Sequence, residues 1–240
     1  MCGMHPGEAH PLAERAHRRR PDGRFVVIEG LDGVGKTTQA RLLVQRAAAQ
    51  GQRAYLTTEP SRGAIGRLLR RILQNRLDPQ ADGGGDAPVD EAILALLFAA
   101  DRLDHVQAEV LPHLEAGELV VSDRYLLSSL AYQGTAVGLD WLLAINAHAP
   151  APDLTVLLDA PPEVCAARLA ARGGAAERYD RPATLAQVRA RFLDAAELLR
   201  AQGQRVVAVD ATGPSDEVHR RIMEAVATLL HADVDRSTRP

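Results

Sequence analysis

Gly30-Leu31-Asp32-Gly33-Val34-Gly35-Lys36-Thr37 meets the spacing G-x-x-x-x-G-K-[ST] at every fixed position. Glycines at 30, 33 and 35 let the backbone curl until successive N–H groups aim at one anion. A helix starting behind them adds its positive end. Lys36 then reaches the outer phosphates of a nucleoside triphosphate. The Thr37 hydroxyl, with Thr38 beside it, falls where Mg²⁺ and phosphate oxygens are held. Such a loop works only between a strand and a helix, and both flanks fit. Phe25-Val26-Val27-Ile28 reads as a buried strand, and Thr38 to Gln45 places apolar residues at helical spacing.

A second cluster, Asp123-Arg124-Tyr125-Leu126-Leu127-Ser128-Ser129-Leu130-Ala131-Tyr132-Gln133-Gly134, directly follows an apolar run at Glu118 to Ser122. A carboxylate at a strand tip, Asp123, suits the hydration shell of Mg²⁺. An arginine beside it, Arg124, suits a second phosphate group held next to the first. A strand-end ion pair with surface residues is the competing reading, and these residues alone leave both open.

Elements must carry these groups. Arg53 to Thr58, Glu118 to Ser122, Asp153 to Asp159 and Arg205 to Val209 read as four further strands. Between them Ile65 to Leu73, Asp90 to Glu115, Leu126 to Gln133, Asp140 to Ala147, Pro161 to Ala171 and Leu185 to Gln202 read as helices, with Asp216 to Leu230 the last. Pro112 should bend the long helix near its end, and Gly134 to Gly138 reads as a loop. Leu77 to Pro88, with three consecutive glycines, is a surface loop. Short strands nearly continuous in Val, Leu and Ile, alternating with helices, require a five-stranded parallel sheet with helices on both faces, a three-layer α/β/α P-loop fold. Ligands in such sheets sit at the carboxyl ends of the strands. There the glycine loop, Glu59 to Gly63, Asp123 to Tyr125 and Asp159 all fall. One domain is expected over 24–232, with 1–23 a disordered arm and 233–240 a flexible tail.

At 240 residues and 46% apolar content the chain can build one core, and with aromatics at only 3% Leu, Val, Ile and Ala must fill it. A net charge of −3 argues against a general nucleic-acid binder. Cys2 and Cys165 are too few for a disulfide framework, which points to a reducing cytoplasm. The eight histidines show no metal spacing. The longest apolar run, Ala92 to Ala100, falls short of the roughly 20 residues a membrane span needs.

Phe25 to Gln39, Thr57 to Gly66, Leu96 to Arg102 and Asp123 to Gly134 together resemble the thymidylate kinase family of P-loop nucleoside monophosphate kinases, from about Arg24 to about Leu230. The resemblance implies transfer of a phosphoryl group from ATP to dTMP, with Mg²⁺, in a homodimer packed through helices. It implies that Asp32 approaches the 3′-hydroxyl of the acceptor and the metal's water shell, and that Lys36, Asp32, Arg124 and Arg178 act in catalysis. Phe98 stacks on thymine, Arg102 holds the acceptor phosphate, and Arg124 bridges the two phosphates. Tyr125 packs beneath the sugar, Ser128, Ser129 and Gln133 line the base edge, and Tyr132 lies near the pocket. Glu59 and Tyr179 join the acceptor side. Residues 172–182 resemble the family's lid, where Arg178, then Arg172 and Arg181, supply the charge that some members place after the loop aspartate, where this chain has Gly33.

Two departures fall on the acceptor side. Thr57-Thr58-Glu59-Pro60 lacks the arginine of Thr-Arg-Glu-Pro, with Arg62 in the same turn as a shifted replacement, and Ser61-Arg62-Gly63-Ala64 differs from the commoner Gly-Gly-Thr. They leave open a kinase of another pyrimidine or modified deoxynucleotide. A nucleotide-sensing ATPase is the reading from another class, but it has no need of a second phosphate pocket.

Overall fold

A computed structural model describes residues 23–74, 89–172 and 182–237. The arm before Gly23, the loop at Leu77 to Pro88 and most of the lid, with Arg178, Tyr179 and Arg181, lie outside the described residues.

Five parallel strands form one sheet in the order β2-β3-β1-β4-β5: β1 (Arg24–Gly30), β2 (Ala54–Thr58), β3 (Leu119–Asp123), β4 (Leu154–Asp159) and β5 (Val206–Asp210). Alternation along β1 splits the core. Val26 and Ile28 pack with Ala40, Leu43 and Ala47 of helix α1 (Lys36–Ala49), while Phe25 and Val27 face the other side with Val106, Val110 and Leu114. Both faces are therefore covered, as the continuous apolar strands require. In the observed order β1 lies between β3 and β4, so the glycine loop after Gly30 opens beside Asp123 at the tip of β3.

Helix α2 spans Ala64–Leu73, and α3 spans Glu91–His105 with the Asp90 side chain accepting from the Ala92 N–H (2.8 Å) as its cap. The run continues through a π turn at Val106–Val110 into α4 (Leu111–Glu115). There the Leu111 N–H donates to Val106 O, one residue further back than in an α-helix. The bend expected at Pro112 is thus absorbed by a wider turn just before it, where the ring has no N–H to give and would crowd the carbonyl four residues back. Helix α5 (Leu126–Val137) runs straight through Gly134 and stops at Gly138, with φ 83°. The loop expected at Gly134 is helix instead, and glycine there lets α6 (Leu139–Ile145) approach closely: a Cβ would lie 2.7 Å from Leu139 Cδ2 unless that side chain shifted. Helices α7 (Pro162–Arg172), α8 (Pro182–Ala201) and α9 (Ser215–Ser237) complete the chain. With neither Gly nor Pro after Leu230 until Pro240, α9 runs on into the expected tail.

Glu29, inside β1, is fully buried. Its carboxylate accepts from the Tyr125 N–H (2.8 Å), the Ser128 N–H (3.1 Å) and the Ser128 hydroxyl (2.5 Å). It caps α5 from a different element, because Tyr125 at the N-cap has no suitable side chain. Burial pushes this carboxyl up to about 7, against the pull of Ser128 and Arg124. A raised folded value means stability that is full below the unfolded value and lost as pH rises through 7. We expect Glu29→Gln to remove that loss: the wild type should fall relative to the variant by about 3 kcal/mol at most between acid and neutral pH, read by urea unfolding.

Candidate active site

The glycine loop has the geometry its spacing implies. Gly30, Gly33 and Gly35 have φ of 137°, 80° and 107°, in the region that L side chains rarely adopt. At Gly33 there is a second constraint, since a Cβ would strike the carbonyl of Cys165 on α7 and lie 2.8 Å from Leu169. A basic side chain has no place at this position, which explains physically why the chain has Gly there. Lys36 Nζ donates to Gly30 O (2.9 Å) and Leu31 O (2.8 Å), with Asp32 at 3.5 Å. Thr37 Oγ donates to Asp123 Oδ2 (2.5 Å), while Asp123 Oδ1 is buried without a partner.

Arg124 is the one described non-glycine residue with positive φ, 78°. That conformation costs about 1–2 kcal/mol. Its N–H donates to Ile28 O (3.0 Å), so the turn is pinned to β1. The guanidinium is thrown towards the loop, where it pairs with Asp32, donates to Ser128 Oγ (3.1 Å) and lies 5.4 Å from the Tyr132 ring centre. The Tyr132 hydroxyl donates to the other Asp32 oxygen (2.9 Å). Burial pushes the Asp32 carboxyl up, but Arg124 and Lys36 outweigh it and hold the group well below the usual carboxylate range. Lys36 is shifted down from the usual lysine value, by burial first and Arg124 second.

Two cavities meet here. One is lined by Phe98, Arg102, Tyr125, Ser128, Ser129, Tyr132 and Gln133, with Glu59, Pro60 and Leu73. The other, of about 440 Å³, is lined by Gly33, Gly35, Lys36, Thr37, Thr38, Thr58 and Asp123, with Arg168, Leu169 and Arg172. Asp32 and Arg124 line both and form the partition. Gly30 lies beneath, its backbone against Leu158 of β4.

Arg102 is 1% exposed and heavily engaged. It donates to Glu59 (2.7 Å), Asn146 (2.5 Å) and Ser129 (3.0 Å), lies 5.0 Å from the Tyr125 ring centre, and keeps Nε buried without a partner. Tyr125 packs edge-on against Phe25 and donates its hydroxyl to Pro150 O (3.1 Å), so it belongs to the core as much as to the cavity. Thr58 faces the second cavity and donates to Asp123 O (3.0 Å). Arg62, the shifted replacement for the missing arginine, is exposed and lines neither cavity.

Sequence reasoning passed over Arg168, one turn before Arg172 on α7. It donates to Val34 O (3.2 Å), Ala211 O (2.9 Å), Thr212 O (3.3 Å) and Gly213 O (3.3 Å), tying the loop to the turn after β5. Its i, i+4 spacing to Arg172 was the available signal. Asn146 and Glu29 carried none beyond being polar within apolar segments.

A family profile described as thymidylate kinase matches residues 28–222. A probable thymidylate kinase of Pyrococcus abyssi (strain GE5 / Orsay) is 43% identical over 207 residues, covering 85% of this chain and 96% of the relative. A probable thymidylate kinase of Pyrobaculum aerophilum is 40% identical over 209 residues, covering 86% and 97%. A thymidylate kinase of Xanthomonas oryzae pv. oryzae (strain PXO99A) is 39% identical over 219 residues, covering 89% of each. With a match across most of its length and a loop, a partition and paired cavities at one sheet edge, this chain belongs to the thymidylate kinase family.

Proposed function

We propose that the chain transfers the γ-phosphoryl group of ATP to dTMP, giving ADP and dTDP. The observation that carries this reading is the partition: Asp32 and Arg124 line both cavities, so two nucleotides bound there meet phosphate to phosphate. Phosphoryl transfer asks for alignment and for neutralisation of charge spreading over the transferred group, and it needs little covalent help. Lys36 and the loop amides hold the donor, Arg168 and Arg172 close its side, and Arg124 spans the gap. We assign the remaining lid charge to Arg178 and Arg181, and Tyr179 to the acceptor side.

Asp123 and Thr37 fit Mg²⁺, since Asp123 keeps one buried oxygen free and the Thr37 hydroxyl lies beside the other. Among the described residues no three His, Cys, Asp or Glu side chains gather to hold a metal alone. Phosphate oxygens completing the shell is the usual arrangement for this ion. Bound there, it neutralises charge on the phosphates.

On the acceptor side the geometry favours two reassignments. Arg102 is already neutralised by Glu59, which makes it a poor holder of a phosphate dianion. Its free Nε–H and its bond to Ser129 suit a neutral carbonyl, so we place it at the thymine edge with Ser128, Ser129 and Gln133, one turn from Phe98. Tyr132, bonded to Asp32, borders the sugar in place of Tyr125. The acceptor phosphate then falls to Arg124.

A homodimer packed through helices is part of this proposal. Among the apolar residues of α3, Leu94 is buried and Leu97 packs on the cluster of Leu69, Ile72 and Leu94, whereas Ile93 and Leu96 are 51% and 50% exposed, with Leu68 of α2 at 38%. The cytoplasm is the compartment we propose; no helix among the described residues is long and apolar enough to cross a membrane.

Coupled ADP release across dTMP, dUMP, dCMP, dGMP and UMP tests the activity. A methyl in an apolar pocket should favour dTMP over dUMP by only ~10–200-fold, whereas equal turnover of dCMP would end the proposal. Arg102→Ala should narrow the gap between dTMP and dCMP, which differ in an acceptor or a donor at C4. A uniform KM rise for every acceptor would return Arg102 to the phosphate. Arg124→Ala should lower kcat by about 1,000-fold with ATP affinity retained, measured by single turnover and ATP titration.

A further inference from the structure

Behind the acceptor cavity runs a buried polar chain that phosphoryl transfer does not itself require. His105, at the end of α3, is 1% exposed. Its Nε2 lies 2.7 Å from Thr57 Oγ, and its Nδ1 lies 3.2 Å from Glu59 Oε1. The same Thr57 oxygen is 2.7 Å from Glu109 Oε2, which also accepts from the Tyr55 hydroxyl (3.1 Å). The other Glu59 oxygen accepts from Arg102 Nη2 (2.7 Å). The π turn at Val106–Val110 carries Glu109 to this place against β2.

Counting hydrogens assigns the ring. Thr57 has one hydroxyl hydrogen, and a carboxylate has none. The Thr57 hydrogen serves Glu109, so the contact between Thr57 and His105 takes its hydrogen from Nε2. Glu59, ion-paired with Arg102, offers lone pairs only, so the contact at Nδ1 takes its hydrogen from the ring as well. Both ring nitrogens donate. Opposite charges then alternate along the chain, with Arg102 and His105 against Glu59 and Glu109, the latter 3.9 Å from Nε2, and the buried Asp101 carboxylate adds a further negative charge beside them. Asp101 on the same helix is occupied by the Ser61 N–H (2.7 Å) and hydroxyl (2.6 Å) and holds the turn above.

We infer that His105 is a positioning residue for acceptor recognition: as a doubly protonated donor it fixes Glu59, and through Glu59 it sets the Arg102 guanidinium at the base edge. This deepens the reading of Arg102 given above and rests on it. Freed from His105, Glu59 can rotate about its last torsion, and Arg102 loses the acceptor that aims it.

Nitrogen–proton correlation of the histidine rings in the unaltered full chain tests the hydrogen count without any variant. A proton on each ring nitrogen of His105 near neutral pH is expected, and one bare nitrogen overturns the proposal. His105→Gln should raise the dTMP KM about tenfold, as for loss of a charged hydrogen bond, with kcat and the ATP KM within about twofold. Because the loss is partly one of charge, adding Glu109→Gln should recover part of that KM. Strict additivity of the two substitutions in the folded variants, or an unchanged dTMP KM, overturns it. Failure of the base-edge reading is separate: it shows as an Arg102→Ala variant that still discriminates dTMP from dCMP, a result to which the ring spectrum is indifferent.

Discussion

A single buried carboxylate organises the catalytic edge. Glu29 leaves the interior of β1 to accept two backbone amides and a hydroxyl from the start of α5. Those amides are otherwise orphans of a helix end, and the carboxylate is otherwise an isolated charge in an apolar sheet, so each offsets part of the other's penalty. The consequence reaches the boundary between the two cavities through Arg124, which lies between β3 and the helix that Glu29 anchors. Its left-handed backbone is tolerated because both neighbouring segments are fixed to β1, one by the Arg124 N–H to Ile28 and one by Glu29.

Strand order does the rest of the positioning. With β1 between β3 and β4, the phosphate loop emerges beside Asp123 and above the carbonyl of Leu158. The acceptor wall comes from the far side of the same edge, through the turn after β2 and through α3 and α5. Arg70 and Gly66 of α2 pack against the turn, Arg70 donating to the carbonyls of Pro60 and Ser61, and Asp101 of α3 accepts from the Ser61 N–H, so this turn is held by two helices. Rigid elements thus line both cavities, which suits a reaction that depends on alignment.

Local chemistry was legible in the sequence, and tertiary pairing was not. The glycine loop and the Asp-Arg-Tyr cluster are written contiguously, and their flanking strand and helices follow from periodicity. Five parallel strands were legible for the same reason, whereas periodicity is silent on which strands are neighbours. Gly134 read as a loop because glycine is a frequent breaker, and the close packing of Leu139 against it is visible only in three dimensions. Arg102 and Tyr125 were placed in the pocket by family resemblance, but their partners Glu59, Asn146 and Pro150 come from distant segments and alter what each can do. Glu29 had left one trace, a charge inside an otherwise apolar strand.

The partition has a thermodynamic corollary. Asp32 and Arg124 are each other's counter-ions and also the boundary of both chambers. In the proposed arrangement the monophosphate competes with Asp32 for the guanidinium and so changes the field that the donor chamber presents. On that arrangement occupancy of the two chambers is coupled, and reciprocity requires the two nucleotides to alter one another's equilibrium binding by the same factor.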